Sequence, residues 1–192
     1  MVTKDKIAGI VLAGGMSRRM GTDKAFLKVG TQTFLEKAVS SLTELTSEVF
    51  ISGSRSDVAD FDAIVVPDVF PGKGPLAGIF SVMKQADYSY YFVLPVDLPL
   101  VSKDLIKFLI SRHSEDYDIT VPVFKNKLHP LLGVFSNSIK EVLLQCLEED
   151  KLKVKDLLDS VSTNYADVSF RFSEQEFANI NTPDELNLWI KE

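Results

Sequence analysis

Residues 7–27 read IAGIVLAGGMSRRMGTDKAFL. The run IAGIVL is apolar throughout, the pattern of a strand covered on both faces of a parallel sheet. Gly14 and Gly15 follow at once, so the chain turns where that strand ends. Between residues 16 and 28 the cations Arg18, Arg19, Lys24 and Lys28 face the single carboxylate Asp23, in a chain whose formal net charge is −6. Glycine has no Cβ, so its backbone can approach a ligand closely and turn N–H groups toward it. The carboxyl edge of an open α/β sheet is where such folds bind ligands. Backbone donors and clustered cations at that edge suit a polyphosphate. The stretch is neither the G-x-x-x-x-G-K-[ST] loop nor the G-x-G-x-x-G dinucleotide fingerprint. A glycine turn with solvated arginines is the plain alternative, and the composition in that place favours the phosphate.

Outward from this stretch, further apolar runs fit buried strands: EVFIS (48–52), AIVV (63–66), YYFVLPV (90–96) and YDITVPV (117–123). Helical patterns separate them. TFLEKAVSSLTEL (33–45) opens with a capping box, Thr33 and Glu36. PLAGIFSVMKQA (75–86) starts with proline, and SKDLIKFLISRH (102–113) with a capping serine, Ser102. This alternation predicts an α/β fold with a mostly parallel sheet and right-handed crossovers. FKNKL (124–128) reads as a turn into HPLLGVF (129–135), an antiparallel excursion. Helices are expected over 138–149 and 153–161, a half-exposed strand over DVSFRF (167–172), and a last helix over TPDELNLWIK (182–191), capped by Thr182 with Glu185.

At 192 residues, with 45% apolar and 25% charged side chains, a single domain spanning 1–192 with a substantial core is expected. The acidic balance argues against a nucleic-acid-binding surface. The first apolar run is too short for a membrane span, and GGMSRRM is a poor leader cleavage region. One cysteine, Cys146, allows no intramolecular disulfide, which fits a cytoplasmic protein.

Two further stretches carry candidate chemistry. Asp97 ends the run YYFVLPVDLP between Pro95 and Pro99, at the same sheet edge as the glycine loop. Beside a polyphosphate, one carboxylate suits Mg2+, which takes few protein oxygens and keeps water or phosphate oxygens. Capping of the helix near Ser102 is the competing role. In VVPDVFPGKGPLAGIF (65–80), Asp68 follows a strand, and Gly72, Lys73 and Gly74 precede a helix. That segment is a candidate wall for a base or ribose, or simply a connection rich in turn residues. Cys146 reads as a core residue, His113 as a helix-end residue, and His129 as either structural or substrate-lining.

LAGGMSRRMGTDKAFL (12–27) resembles the signature L-A-G-G-x-S-x-R-M-G-x-D-K-x-x-L of the molybdenum cofactor guanylyltransferases, the MobA family. PDVFPGKGPLAGI, PVDLP, HPLLGVF and NINTPDEL resemble its later segments, in family order. One departure is Ser52, in EVFISGSR, where the family often has asparagine near the nucleotide. The resemblance implies the nucleotide-diphospho-sugar transferase fold, a three-layer Rossmann-like mixed sheet with helices on both faces. It implies transfer of GMP from GTP to molybdenum-bearing molybdopterin, with Mg2+ as cofactor. Leu12, Ala13, Gly14 and Gly15 would then hold the nucleotide through their backbone. Arg19 and Lys24 would bind phosphates, Asp97 the metal, and Asp68 and Ser52 the nucleoside side. Asn179 and Asn181 would face the pterin substrate or the metal. Apo-molybdoenzymes or other cofactor-biosynthesis proteins are the implied protein partners. A cytidylyltransferase or other small nucleotidyltransferase of the same fold, and a non-catalytic nucleotide-binding module, are the alternatives.

Overall fold

The computed structural model describes residues 2–13, 24–53, 61–180 and 182–190. In chain order the elements are β1 (Ile7–Leu12), β2 (Lys28–Val29), β3 (Gln32–Thr33), α1 (Phe34–Thr43), β4 (Val49–Ser52), β5 (Ile64–Val66), α2 (Gly74–Gln85), β6 (Tyr90–Pro95), α3 (Lys103–Arg112), β7 (Ile119–Phe124), β8 (Lys127–Leu128), β9 (Gly133–Ser136), α4 (Lys140–Glu148), α5 (Val154–Ser160), β10 (Thr163–Asp167) and α6 (Pro183–Ile190). An eight-stranded sheet runs β10-β7-β9-β6-β1-β4-β5, with β8 paired to β7. β1 is parallel to both β4 and β6, and β9 is antiparallel to its neighbours β6 and β7. The short hairpin β2–β3, which no sequence signal announced, stands apart from this sheet.

Period-two alternation along β1 and β6 explains why both strands are apolar throughout. Ile7, Val11, Phe92 and Leu94 pack on the face covered by α1 and α3. Ala8, Ile10, Tyr91 and Val93 pack on the opposite face, with α2, α4 and α5. A strand buried on both faces needs apolar residues at every position.

Local signals set the element boundaries. The capping box forms as expected: the Glu36 N–H donates to Thr33 Oγ1 at 3.1 Å, and the Thr33 N–H donates to Glu36 Oε2 at 2.6 Å. Ser102 Oγ accepts the Leu105 N–H at the start of α3, and Thr182 Oγ1 accepts the Glu185 N–H at the start of α6. The β7–β8 turn places Lys125 (φ 48) and Asn126 (φ 64) in the left-handed region, which matches the right-handed twist of a two-residue hairpin.

The strand expected over 167–172 is displaced. The strand is Thr163–Asp167, parallel to β7, and residues 168–172 form a turn. Asp167 Oδ1 accepts the Ser169 N–H at 2.9 Å, and the Phe172 N–H donates back to the Val168 carbonyl at 3.2 Å. This side-chain-to-backbone bond ends the ladder, although the alternating pattern continues beyond it.

Candidate active site

The chain leaves β5 on one side of β1, passes through α2, and re-enters the sheet as β6 on the other side. This reversal makes a crevice at the carboxyl ends of the strands. Register aligns those ends. Leu12 lies opposite Ser52 on one side and Pro95 on the other, and Ser52 lies opposite Val66. The Val96 N–H donates to the Leu12 carbonyl at 3.1 Å, and the Gly53 N–H donates to the Val66 carbonyl at 3.0 Å. The residues just beyond the strands therefore issue from one edge: Ala13, Gly53, Asp68 and Asp97.

Leu12 and Ala13 are buried at the start of the motif loop. Gly14, Gly15, Arg18, Arg19 and Asn181 lie outside the described residues, as does the side chain of Lys24. The Lys24 backbone opens a short 3-10 turn, Lys24–Phe26, whose Ala25 is fully buried. Asp97 is half-buried in the turn after β6. Its carbonyl accepts the Ile180 N–H at 2.9 Å, so the late N-x-N segment comes to the same edge as Asp97. Asn179 itself is exposed, and Ile180 is fully buried.

Asp68 is half-buried. Burial pushes its carboxyl above the usual carboxylate range, and a hydrogen bond from Ser52 Oγ opposes that rise. The Ser52 hydroxyl donates to Asp68 Oδ1 at 3.3 Å. Ser52 is only 3% exposed, so its hydroxyl faces protein rather than an open crevice. Two residues beyond the sequence-based candidates shape this corner. Ser81 Oγ accepts the Val69 N–H at 2.8 Å and donates to the Ala77 carbonyl of its own helix. At Gly78, a Cβ would fall 2.0 Å from Ser52 Oγ. A glycine inside a helical pattern is the sequence signal for such close approach, since it costs helix stability without a packing reason.

Lys73 lies in the segment considered as a base or ribose wall or as a plain connection, and its side chain turns to α4. Its Nζ donates to the Leu147 carbonyl at the end of α4, pairs with Asp150 at 3.0 Å and lies over the Phe70 ring. A cation at a helix C-terminus meets unpaired carbonyls and the negative end of the dipole, which explains this choice of partner.

His129 sits in a stack of rings rather than on an open surface. It is 7% exposed, its ring centroid is 4.7 Å from that of Phe177, and Phe177 lies 4.8 Å from Phe124. Burial, with Lys127 nearby, drives its pKa down to about 4, and its Nε2 has no hydrogen-bond partner among the described residues. His113 caps the end of α3, with Nδ1 2.9 Å from Thr120 Oγ1, and burial lowers its pKa as well. Cys146 is buried on α4, and burial raises its thiol pKa, which suits the core role and opposes nucleophilic use. Among the described residues, no three His, Cys, Asp or Glu side chains gather into a metal cluster, and no helix is long and apolar enough to cross a membrane.

The family described as MobA-like NTP transferase domain matches residues 9–165. The probable molybdenum cofactor guanylyltransferase of Carboxydothermus hydrogenoformans is 35% identical over 185 residues, 94% of this chain and 93% of that protein. Its counterpart from Flavobacterium johnsoniae is 30% identical over 183 residues, 95% of this chain and 96% of that protein. The crystal structure of molybdopterin-guanine dinucleotide biosynthesis protein A from Archaeoglobus fulgidus matches with a TM-score of 0.78 at 21% identity. The match covers 95% of this chain and 96% of that one, and it is a likeness of fold.

Proposed function

The chain belongs to the MobA-like NTP transferase family, and from that premise we propose that it transfers GMP from GTP to molybdenum-bearing molybdopterin, releasing pyrophosphate. The observation that carries this reading is the shared carboxyl edge. Leu12, Ser52, Val66 and Pro95 stand in register, so the chain at Ala13, Asp68 and Asp97 leaves one edge of the sheet. A nucleoside triphosphate laid along that edge meets backbone donors at one point and carboxylates at two others.

In this reading a phosphate oxygen of the acceptor bonds to the α-phosphorus. The electron pair of the bond to the bridging oxygen leaves with pyrophosphate. A phosphate monoester is already ionised near neutral pH, so the protein needs no strong general base. Its task is to bring two anions together and hold the departing charge. Backbone groups from Leu12 to Gly15 orient the nucleotide. Arg19 and Lys24 neutralise phosphate oxygens. Asp68 serves the nucleoside side, with Ser52 behind it. Asn179 and Asn181 serve the acceptor side or the metal.

Asp97 fits a divalent cation by the chemistry of its donor set. It is a carboxylate at the sheet edge, and Mg2+ takes one or two carboxylates and completes its shell with water and phosphate oxygens. Bound there, Mg2+ supplies charge stabilisation at the α-phosphate. The Ile180 N–H bond to the Asp97 carbonyl holds this turn against the segment before α6.

The test is titration of GTP, CTP and ATP with and without Mg2+, followed by pyrophosphate release with molybdopterin present. Preferential Mg2+-dependent binding of GTP, with pyrophosphate released only when the acceptor is added, is expected. Equal affinity for the three nucleotides removes the guanine assignment. GTP binding with no pyrophosphate release leaves a non-catalytic nucleotide-binding module.

A further inference from the structure

We propose that Ser52 acts on the nucleotide through Asp68 rather than by touching it: its hydroxyl, lodged in the space that Gly78 leaves open, fixes the orientation in which Asp68 meets the nucleoside. The proposal rests on the reading of Asp68 as a nucleoside-side contact.

Ser52 is the last residue of β4 and is 3% exposed. A hydroxyl has one proton to donate. Here that proton goes to Asp68 Oδ1 at 3.3 Å. The opposite wall is α2. A Cβ at Gly78 would lie 2.0 Å from Ser52 Oγ and 3.1 Å from Ser52 Cβ, so only bare helix backbone fits against the hydroxyl. The same helix holds the next peptide group in the loop, because Ser81 Oγ accepts the Val69 N–H at 2.8 Å. Asp68 is thus fixed twice, at its carboxylate by β4 and at the following peptide by α2. Ser81 is buried and its hydroxyl proton goes to the Ala77 carbonyl at 2.6 Å, so this second anchor is itself held in place.

Both anchors come from rigid elements, whereas Asp68 stands on the connection between β5 and α2. A binding group on a loop loses side-chain freedom when its ligand arrives, unless a supporting contact has already removed it. The hydrogen bond from Ser52 is such a contact, and it also favours the ionised carboxylate against the effect of burial. The hydroxyl therefore helps keep Asp68 as an anionic acceptor in one orientation.

Four proteins test this: the wild type, S52A, D68A and the double variant. GTP affinity is measured by calorimetry with Mg2+, and kcat and KM by pyrophosphate release. S52A removes one oxygen from a packed site and is expected to fold. It should weaken GTP binding and raise KM by about 3- to 10-fold, the range for one side chain left to be ordered on binding, with kcat unchanged. On the D68A background the same substitution should change nothing. An equal loss in both backgrounds overturns the proposal in favour of direct contact. Normal GTP affinity in S52A, with affinity lost in D68A, overturns it in favour of simple packing. A fall in kcat at constant KM overturns it as well. Normal affinity in D68A overturns both the proposal and the nucleoside-side reading of Asp68, whereas the other three failures leave that reading intact.

Discussion

The Ile180 N–H donates to the Asp97 carbonyl at 2.9 Å. Residues 83 positions apart in sequence are thereby joined at the mouth of the crevice. Ile180 is fully buried in the core layer that includes Val96, Leu98 and Leu186. The turn that presents Asp97 therefore depends on the packing of the segment before α6.

This separates two substitutions. Asp97→Asn keeps the size of the side chain and the backbone bond, so the melting temperature should barely move. Turnover should fall on the order of 10²–10³-fold, the loss typical of one preorganised electrostatic element, and half-maximal activity should need more Mg2+. Ile180→Ala should instead cost about 2–5 kcal/mol of stability in urea unfolding, as deletion of a buried isoleucine side chain does. An Asp97→Asn enzyme with normal turnover and Mg2+ dependence refutes the metal role.

Lys24→Ala tests the motif loop. Loss of a charge-assisted hydrogen bond worth about 1.5–3 kcal/mol should lower kcat/KM roughly 10- to 100-fold while leaving the unfolding midpoint near that of the wild type. Full activity in this variant would remove Lys24 from phosphate binding.

Gly78→Ala should destabilise the protein by about 1–3 kcal/mol, the usual cost of overpacking, because the new Cβ collides with Ser52 Oγ. Adding Ser52→Ala removes that oxygen and should restore part of the loss. The relief is partial, since the Cβ of residue 52 stays 3.1 Å from the added methyl carbon. Denaturant unfolding of the two singles and the double reads the coupling directly.

Acid should weaken the fold through His129. Its pKa is about 4 in the folded protein, below the ordinary histidine value of 6.5, so the unfolded chain binds the proton more readily. The contribution is fully present above pH 6.5 and is lost as pH falls toward 4, on the order of 3 kcal/mol across the window. His113, whose pKa is also lowered, adds to the same slope. His129→Phe should flatten the fall in unfolding free energy between pH 7 and pH 5 without abolishing it. An unchanged slope would show that His129 is already free to protonate in the native state.

Much of the architecture was legible along the chain because its causes are local. A strand covered on both faces must be apolar at every position, and β1 and β6 are. Thr33 with Glu36, and Ser102 with its third neighbour, announce helix starts within one turn of backbone. The run FKNKL closes on itself as a two-residue hairpin turn. The family likeness was carried by contiguous motifs, above all residues 12–27, and Asp97 was placed at the crevice edge because a strand must end somewhere between two prolines. Where the local pattern misled, at 167–172, a single Asp167 carboxylate took the Ser169 N–H and ended the strand early.

What only the tertiary structure decided is the set of partners for each polar group. Ser52 stands at a position suggesting a nucleotide contact, and its hydroxyl donates to Asp68, 16 residues away. Lys73 stands between two glycines in a segment that reads either as a base or ribose wall or as a plain connection, and its Nζ closes the end of α4, 74 residues on. His129 follows a turn like a substrate-facing residue, but the ring of Phe177 helps bury it. The sequence by itself determined the buried central strands and the capped helices, since hydrophobic period and caps act over a few residues, but not the β2–β3 hairpin or the bounds of β10. Which buried donor meets which acceptor depends on how separate elements pack, and that is set only when β4, α2 and the segment before α6 come together around the carboxyl edge of the sheet.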